Sequence, residues 1–198
     1  MSTDQKMDSS RRNLLIATSA AGTVATVGVA VPFVASLTPS ERAKAAGAPV
    51  EADVSQLAPG EMMTVEWRGQ PVWILHRSEE MLKTLDAVED KLSDPDSEKS
   101  AQPEYTKNKY RSIKPEYLVA IGICTHLGCS PSSKFKPGAD GGMPADWLGG
   151  FLCPCHGSLF DLSTRVYKSM PAPTNLPIPP HRYLSETRIL IGEDEKKA

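Results

Sequence analysis

Gly122–Phe135 reads GICTHLGCSPSSKF, and Phe151–Phe160 reads FLCPCHGSLF. These two stretches hold all four cysteines of the 198-residue chain and two of its four histidines. Four cysteines are too few for a disulfide-built scaffold, so their confinement to two boxes points to a site. In the first box Cys124 and His126 stand two apart in a strand-end loop and point the same way. In the second, Cys153 and His156 are three apart, about one turn, and can reach one centre. Adjacent Cys155 and His156 point in different directions in an extended loop and do not reach it together. Each box therefore offers one Cys and one His, and Cys129 and Cys155 are left over at matching places beyond the ligands. A disulfide between them would staple the two loops into one cage, and a non-cytoplasmic location permits that bond. Two Cys and two His from paired loops suit two centres: tetrahedral zinc, or a two-iron cluster with His on one iron.

Outward from the boxes the chain reads as short strands. Tyr117–Ile123, YLVAIGI, is a buried strand leading straight into the first box. Upstream, MTVEWRGQPVWILHR predicts a hairpin of Met62–Trp67 and Val72–Arg77 around Gly69 and Pro71. Met81, Leu82, Leu85, Val88 and Leu92 stand at helical spacing after Ser78, a predicted N-cap followed by acidic residues. Asp94 to Pro115 reads as polar loop, Phe160–Tyr167 as a short hairpin, and Thr187–Gly192 as a closing strand. The expected fold is mainly β, an antiparallel domain with one inserted helix. Seventeen prolines and four phenylalanines agree with a loop-rich body. A net charge of −2 gives no argument for nucleic acid as a partner. His76 and His181, outside the boxes, read as ordinary surface or core histidines.

At the N-terminus, Arg11 and Arg12 precede 28 residues without a charge, Asn13 to Ser40. The apolar part, Leu14 to Leu37, reaches roughly 36 Å as a helix, and a bilayer core needs about 20 residues. It exceeds the apolar region of a cleaved secretory signal. Ser-Arg-Arg-Asn-Leu-Leu resembles a twin-arginine export signal. The competing reading is a cleaved signal with Ala43-Lys44-Ala45 as its site. Lys6, Arg11 and Arg12 place the N-terminus in the cytoplasm and the rest beyond the inner membrane. The expected organisation is residues 1–13 as cytoplasmic N-terminus with the export signal, 14–37 as single-pass anchor, 38–49 as flexible hinge and 50–198 as the periplasmic domain. A continuation of the helix through part of 41–46 competes with the hinge.

C-T-H-L-G-C and C-P-C-H-G-S resemble the two cluster-binding boxes of the Rieske iron–sulfur protein of quinol–cytochrome c reductase, the cytochrome bc1 complex. The resemblance extends to the anchor, the tether and Pro171-Ala172-Pro173, similar to the family's proline loop. It implies a β-sandwich head with a cluster-binding subdomain at about 122–178. It implies one 2Fe–2S cluster with Cys124 and Cys153 on one iron and His126 and His156 on the other, and a disulfide between Cys129 and Cys155. Gly128 and Gly157 are then expected to let the loops turn tightly and to aim backbone N–H groups at the sulfurs. Ser158 matches the family's hydroxyl to a bridging sulfide, and Leu127 resembles the apolar cover that docks on cytochrome b. Two departures stand out. Phe160 replaces a frequent Tyr, and Met170 opens the proline loop where Gly is frequent. Lys134–Gly150 is a long, Gly-rich segment between the boxes.

The function so implied is electron transfer within a dimeric membrane complex, from ubiquinol at the cytochrome b surface to cytochrome c1, coupled to proton translocation. Two neutral imidazoles in place of two thiolates remove negative charge and raise the potential. Exposed imidazoles can also take a proton with the electron, and His156 is expected to accept the hydrogen bond from quinol. The alternatives are an anchored Rieske subunit of another periplasmic oxidoreductase, a Rieske ferredoxin feeding an oxygenase, and a zinc-binding structural module. Ferredoxins of that kind lack the extra cysteine pair.

Overall fold

The computed structural model describes residues 9–139 and 142–194. The N-terminal eight residues, including Lys6, lie outside them. The chain divides into two units, Met1–Ala45 and Ala46–Ala198. The first is dominated by helix α1, Ser9–Ser36, which contains Pro32 and buries none of its residues. Its 28 residues correspond to about 42 Å, long and apolar enough to cross a bilayer. After a break at residues 37–40, Glu41–Ala46 forms a separate short helix, α2. Ser40 accepts a bond from the Ala43 N–H in its first turn, so residues 41–46 are helical but not as a continuation of α1, which ends at Ser36.

The second unit is built on three antiparallel sheets of three strands. The central one joins β2 (Met62–Trp67), β3 (Gln70–His76) and β4 (Tyr117–Ile121) in that order. The β2–β3 hairpin closes at Trp67↔Gln70 around Arg68-Gly69, beginning β3 two residues earlier than the pattern predicts. Side chains of β3 alternate between two cores because successive residues face opposite sides of a strand. Val72 and Ile74 pack with Val119, Trp67, Ala52, Ile189 and Ile191 against the sheet of β1 (Val50–Asp53), β9 (Arg188–Ile191) and β8 (His181–Tyr183). Trp73 and Leu75 face the other way, towards Phe151, Phe160, Cys124 and Cys153. There the third sheet joins β5 (Ser132–Lys134), β6 (Gly150–Leu152) and β7 (Leu159–Phe160). Trp73 stacks on Phe151 at 4.8 Å, and Phe135 meets Phe151 edge-on at 5.4 Å. The central sheet is thus buried on both faces, and its second face is the floor of the cysteine boxes.

Helix α3 runs Glu79–Ala87, with Ser78 Oγ accepting from the Met81 N–H at 3.3 Å. It ends before Leu92, which the helical spacing had included. A 3-10 turn, Glu89–Lys91, intervenes, and Leu92 instead bridges Tyr167. Between the boxes, Trp147 is buried, donates Nε1–H to the Lys134 carbonyl at 2.8 Å and lies 5.7 Å from the Tyr167 ring.

Candidate metal centre

Two loops carry the boxes. Loop one, Cys124–Cys129, leaves β4; loop two, Cys153–Ser158, joins β6 to β7. Their backbones close in the same way. The Cys124 N–H donates to the Cys129 carbonyl at 2.8 Å, and the Cys153 N–H to the Ser158 carbonyl at 2.8 Å. The Gly128 N–H returns to the Cys124 carbonyl at 3.0 Å, and the Gly157 N–H to the Cys153 carbonyl at 2.9 Å. Gly128 (φ 84°) and Gly157 (φ 74°) occupy the left-handed region that these closures require.

In loop one the backbone N–H directed at the Cys124 sulfur is that of His126, while the glycines' own N–H groups bond carbonyls. The pattern corrects one expectation. Counted from each loop's first cysteine, the partner of Cys129 is Ser158, not Cys155. The disulfide of Cys129 and Cys155, Cα atoms 6.6 Å apart, therefore crosses from the end of loop one to the middle of loop two. The histidines are not in matching register either: His126 stands two residues, and His156 three, after its cysteine.

Cys124 and Cys153 are free and buried, each 2% exposed. Burial pushes the Cys124 thiol up, while the His126 N–H and the Ser158 hydroxyl beside it act in the opposite direction. The His126 and His156 rings meet edge-on, centroids 4.6 Å apart. His126 Nδ1 is buried without a hydrogen-bond partner, and His156 is exposed. A buried imidazole nitrogen left unpaired costs free energy unless something else takes its lone pair or proton, as a metal would. Leu127 between the histidine and the turn is 71% exposed. The Cys153 Sγ lies within 4.8 Å of both disulfide sulfurs. Those two sulfurs are bonded to each other, so that trio is not a ligand set.

Each loop is also tied to the proline segment. Ser158 Oγ accepts from the Ala172 N–H at 3.0 Å, leaving its own hydrogen for the Cys124 sulfur. Thr125 Oγ1 donates to the Thr174 carbonyl at 2.8 Å. Phe160, where a Tyr is frequent in the resembled family, is fully buried in the core that contains Cys124 and Cys153.

Sequence reasoning missed Thr125 and three buried arginines. Arg77 and Arg111 converge on the turn after loop two: Arg77 Nη1 donates to Ser163 Oγ at 2.8 Å, and Arg111 Nη1 to Thr164 Oγ1 at 2.8 Å. Arg165 pairs with buried Asp161 at 2.8 Å, inside the same turn. Burial lowers Arg77 to about 10 and Arg111 to about 9, so both stay charged at neutral pH. Losing one partner of such a buried set is strongly destabilising, typically ~3–5 kcal/mol. None carries a sequence mark of burial: Arg77 ends an expected strand, Arg111 lies in a polar loop and Arg165 in an expected hairpin.

Residues 99–180 match the family described as "Rieske [2Fe-2S] domain", and residues 1–40 match "Ubiquitinol-cytochrome C reductase Fe-S subunit TAT signal". Among solved structures, one titled "Hyperthermophilic respiratory Complex III" is 26% identical with a TM-score of 0.47, over 88% of this chain and 97% of that one. The chain is 39% identical over 194 residues to the ubiquinol–cytochrome c reductase iron–sulfur subunit of Blastochloris viridis, covering 97% of this chain and 98% of that protein. It is 61% identical over 188 residues to the subunit of the same description from Allochromatium vinosum, covering 95% of this chain and 90% of that protein. With both boxes on paired loops and identity of that order along nearly its whole length, the chain belongs to the family of Rieske iron–sulfur subunits of ubiquinol–cytochrome c reductase.

Proposed function

We propose that this chain is the Rieske electron-transfer subunit of a cytochrome bc1 complex, oxidising ubiquinol and passing the electron to cytochrome c1. The observation that carries the reading is the donor set: two buried free thiols and two imidazoles on disulfide-joined loops, with His126 Nδ1 buried and unpaired. These residues fit a 2Fe–2S cluster, held by Cys124 and Cys153 on one iron and by His126 and His156 on the other. Bound there, the cluster supplies reversible one-electron chemistry at a potential raised by its imidazole ligands.

The chain's own residues do the rest. His156, exposed and edge-on to the His126 ring, accepts the hydrogen bond of a quinol hydroxyl and holds its proton. Leu127 is the apolar contact to cytochrome b. Ser158 and the His126 N–H place donors at the Cys124 sulfur, and Thr125 and Ser158 tie the proline segment to both loops. Residues 14–37 anchor the chain in the bacterial inner membrane with the N-terminus cytoplasmic. Residues 38–49 are the hinge by which the periplasmic domain 50–198 visits its two partners in turn. Quinol oxidation outside the membrane then contributes to proton translocation by the dimeric complex.

The experiment is purification from membranes, with quinol added anaerobically and EPR recorded. The expected result is b- and c-type haem in the same particle and a reduced-cluster signal that quinol elicits. A cluster signal without those haems would favour an anchored subunit of another periplasmic oxidoreductase, and a colourless zinc protein would overturn the reading.

A further inference from the structure

Three sulfurs stand together beside the cluster site. The Sγ atoms of Cys153, Cys129 and Cys155 all lie within 4.8 Å of one another, and two of them are already bonded. Cys153 is a free thiol, and Cys124, the other free thiol, is not part of that trio. A thiolate attacks a disulfide sulfur within reach, and the thiolate that leaves does so more readily where it is solvated.

The geometry points to an internal thiol–disulfide exchange that operates when Cys153 is not held by a metal, an inference that rests on the ligand assignment proposed above. The Cys153 thiolate attacks Cys129 Sγ. The Cys129–Cys155 bond breaks, a Cys129–Cys153 bond forms, and Cys155 leaves as a thiolate that takes a proton from water. One disulfide and one thiol go in and come out, so no oxidant or reductant is consumed. Attack on Cys129 is selected because Cys155 is exposed and Cys129 half-buried. The product also keeps both loops stapled, whereas a Cys153–Cys155 bond would release loop one. The consequence is a dead end: a bridge on Cys153 removes a ligand, so a chain that closes its disulfide without its cluster locks itself out of later loading. Cluster insertion has to precede, or accompany, oxidation of the cysteines.

The test uses the full chain in detergent, loaded or stripped of iron anaerobically with a chelator. Each sample is incubated at pH 8, acid-quenched, alkylated with N-ethylmaleimide and mapped by peptide mass spectrometry. In the stripped chain a Cys129–Cys153 peptide pair with alkylated Cys155 is expected. The pair should form equally in Cys124→Ser and be absent from Cys153→Ser, which keeps Cys129–Cys155. A guanidinium-unfolded sample sets the pattern for a chain without folded geometry. Persistence of Cys129–Cys155 with Cys153 fully alkylated overturns the inference. So does exchange by Cys124 at the rate of Cys153, as in the unfolded sample, or a Cys153–Cys155 product. In the loaded chain Cys129–Cys155 persists through the incubation at pH 8; if a Cys129–Cys153 pair forms there as fast as in the stripped chain, the ligand assignment is what fails.

Discussion

Removing the inter-loop disulfide, as Cys129→Ala/Cys155→Ala, leaves all four proposed ligands in place and takes away a link with a sequence separation of 26. Both cysteines are changed together so that no new thiol faces Cys153. In the chain-entropy account, a closed loop of that length restricts the unfolded chain by an amount worth about 3.5 kcal/mol at 25 °C. For a domain of this size each kcal/mol moves the midpoint by ~2–4 °C, so the variant should melt roughly 10 °C lower. The native side of the argument points the same way. Without the bridge, the boxes keep the β5–β6 and β6–β7 ladders, the proline segment bonds from Thr125 and Ser158, the Ser158 hydroxyl at the Cys124 sulfur and the cluster itself, but lose their one covalent link through protein atoms. The assay is thermal scanning of loaded full chain at one scan rate, following both visible absorbance of the cluster and far-UV circular dichroism. Cluster bleaching should precede loss of secondary structure in the variant, because the loops open before the central sheet does. A midpoint within two degrees of the parent and bleaching coincident with unfolding would refute the reasoning.

Phe160→Tyr should raise the cluster potential by roughly 40 mV, taking ~1 kcal/mol as the difference a new hydroxyl donor makes between redox states. Protein-film voltammetry on fully loaded protein checks it, and an unmoved or lower potential contradicts it; Phe160 is fully buried, so a hydroxyl without a partner there would show as lost stability instead. Prolines in place of residues 43–47, which disrupt the short helix Glu41–Ala46, should slow cytochrome c reduction and spare the cluster's EPR signal; unchanged turnover with a stiffened linker would rule out the hinge. His181, whose imidazole bonds the Pro179 carbonyl at 2.9 Å, is held below its ordinary pKa, first by burial. The unfolded chain therefore binds more protons there, and this contribution to stability is complete above about pH 6.5 and declines as the pH falls below it. Urea midpoints at pH 7 and 5 should differ less in His181→Gln than in the parent, and an equal difference would contradict the assignment.

The boxes and the periodicity of β2 and β3 made most of the architecture legible. Alternation of Val72, Trp73, Ile74 and Leu75 is a local property of a strand, and so is the capping of α3 by Ser78. What stayed hidden depends on partners far away in the chain. Thr125 bonds Thr174, 49 residues on, and Arg77 reaches Ser163 across 86 residues. No local pattern distinguishes such an arginine from a solvated one. The loop register was misread for a related reason. Spacing suggested that Cys129 and Cys155 were equivalent, but the backbone closures count from Cys124 and Cys153 and make Ser158 the counterpart of Cys129. The end of α3 was overestimated because Leu92 keeps helical spacing while serving a bridge to Tyr167.

The central claim is that one iron is held by two imidazoles, those of His126 and His156. Pulsed EPR of the reduced protein, grown with either ordinary or 15N-labelled histidine, reads this directly. The account predicts couplings from two nitrogens that change isotope with the label, one of them disappearing together with the native spectrum in a His156→Cys variant. A reduced-cluster spectrum with no histidine nitrogen coupling, or with only one, would contradict it.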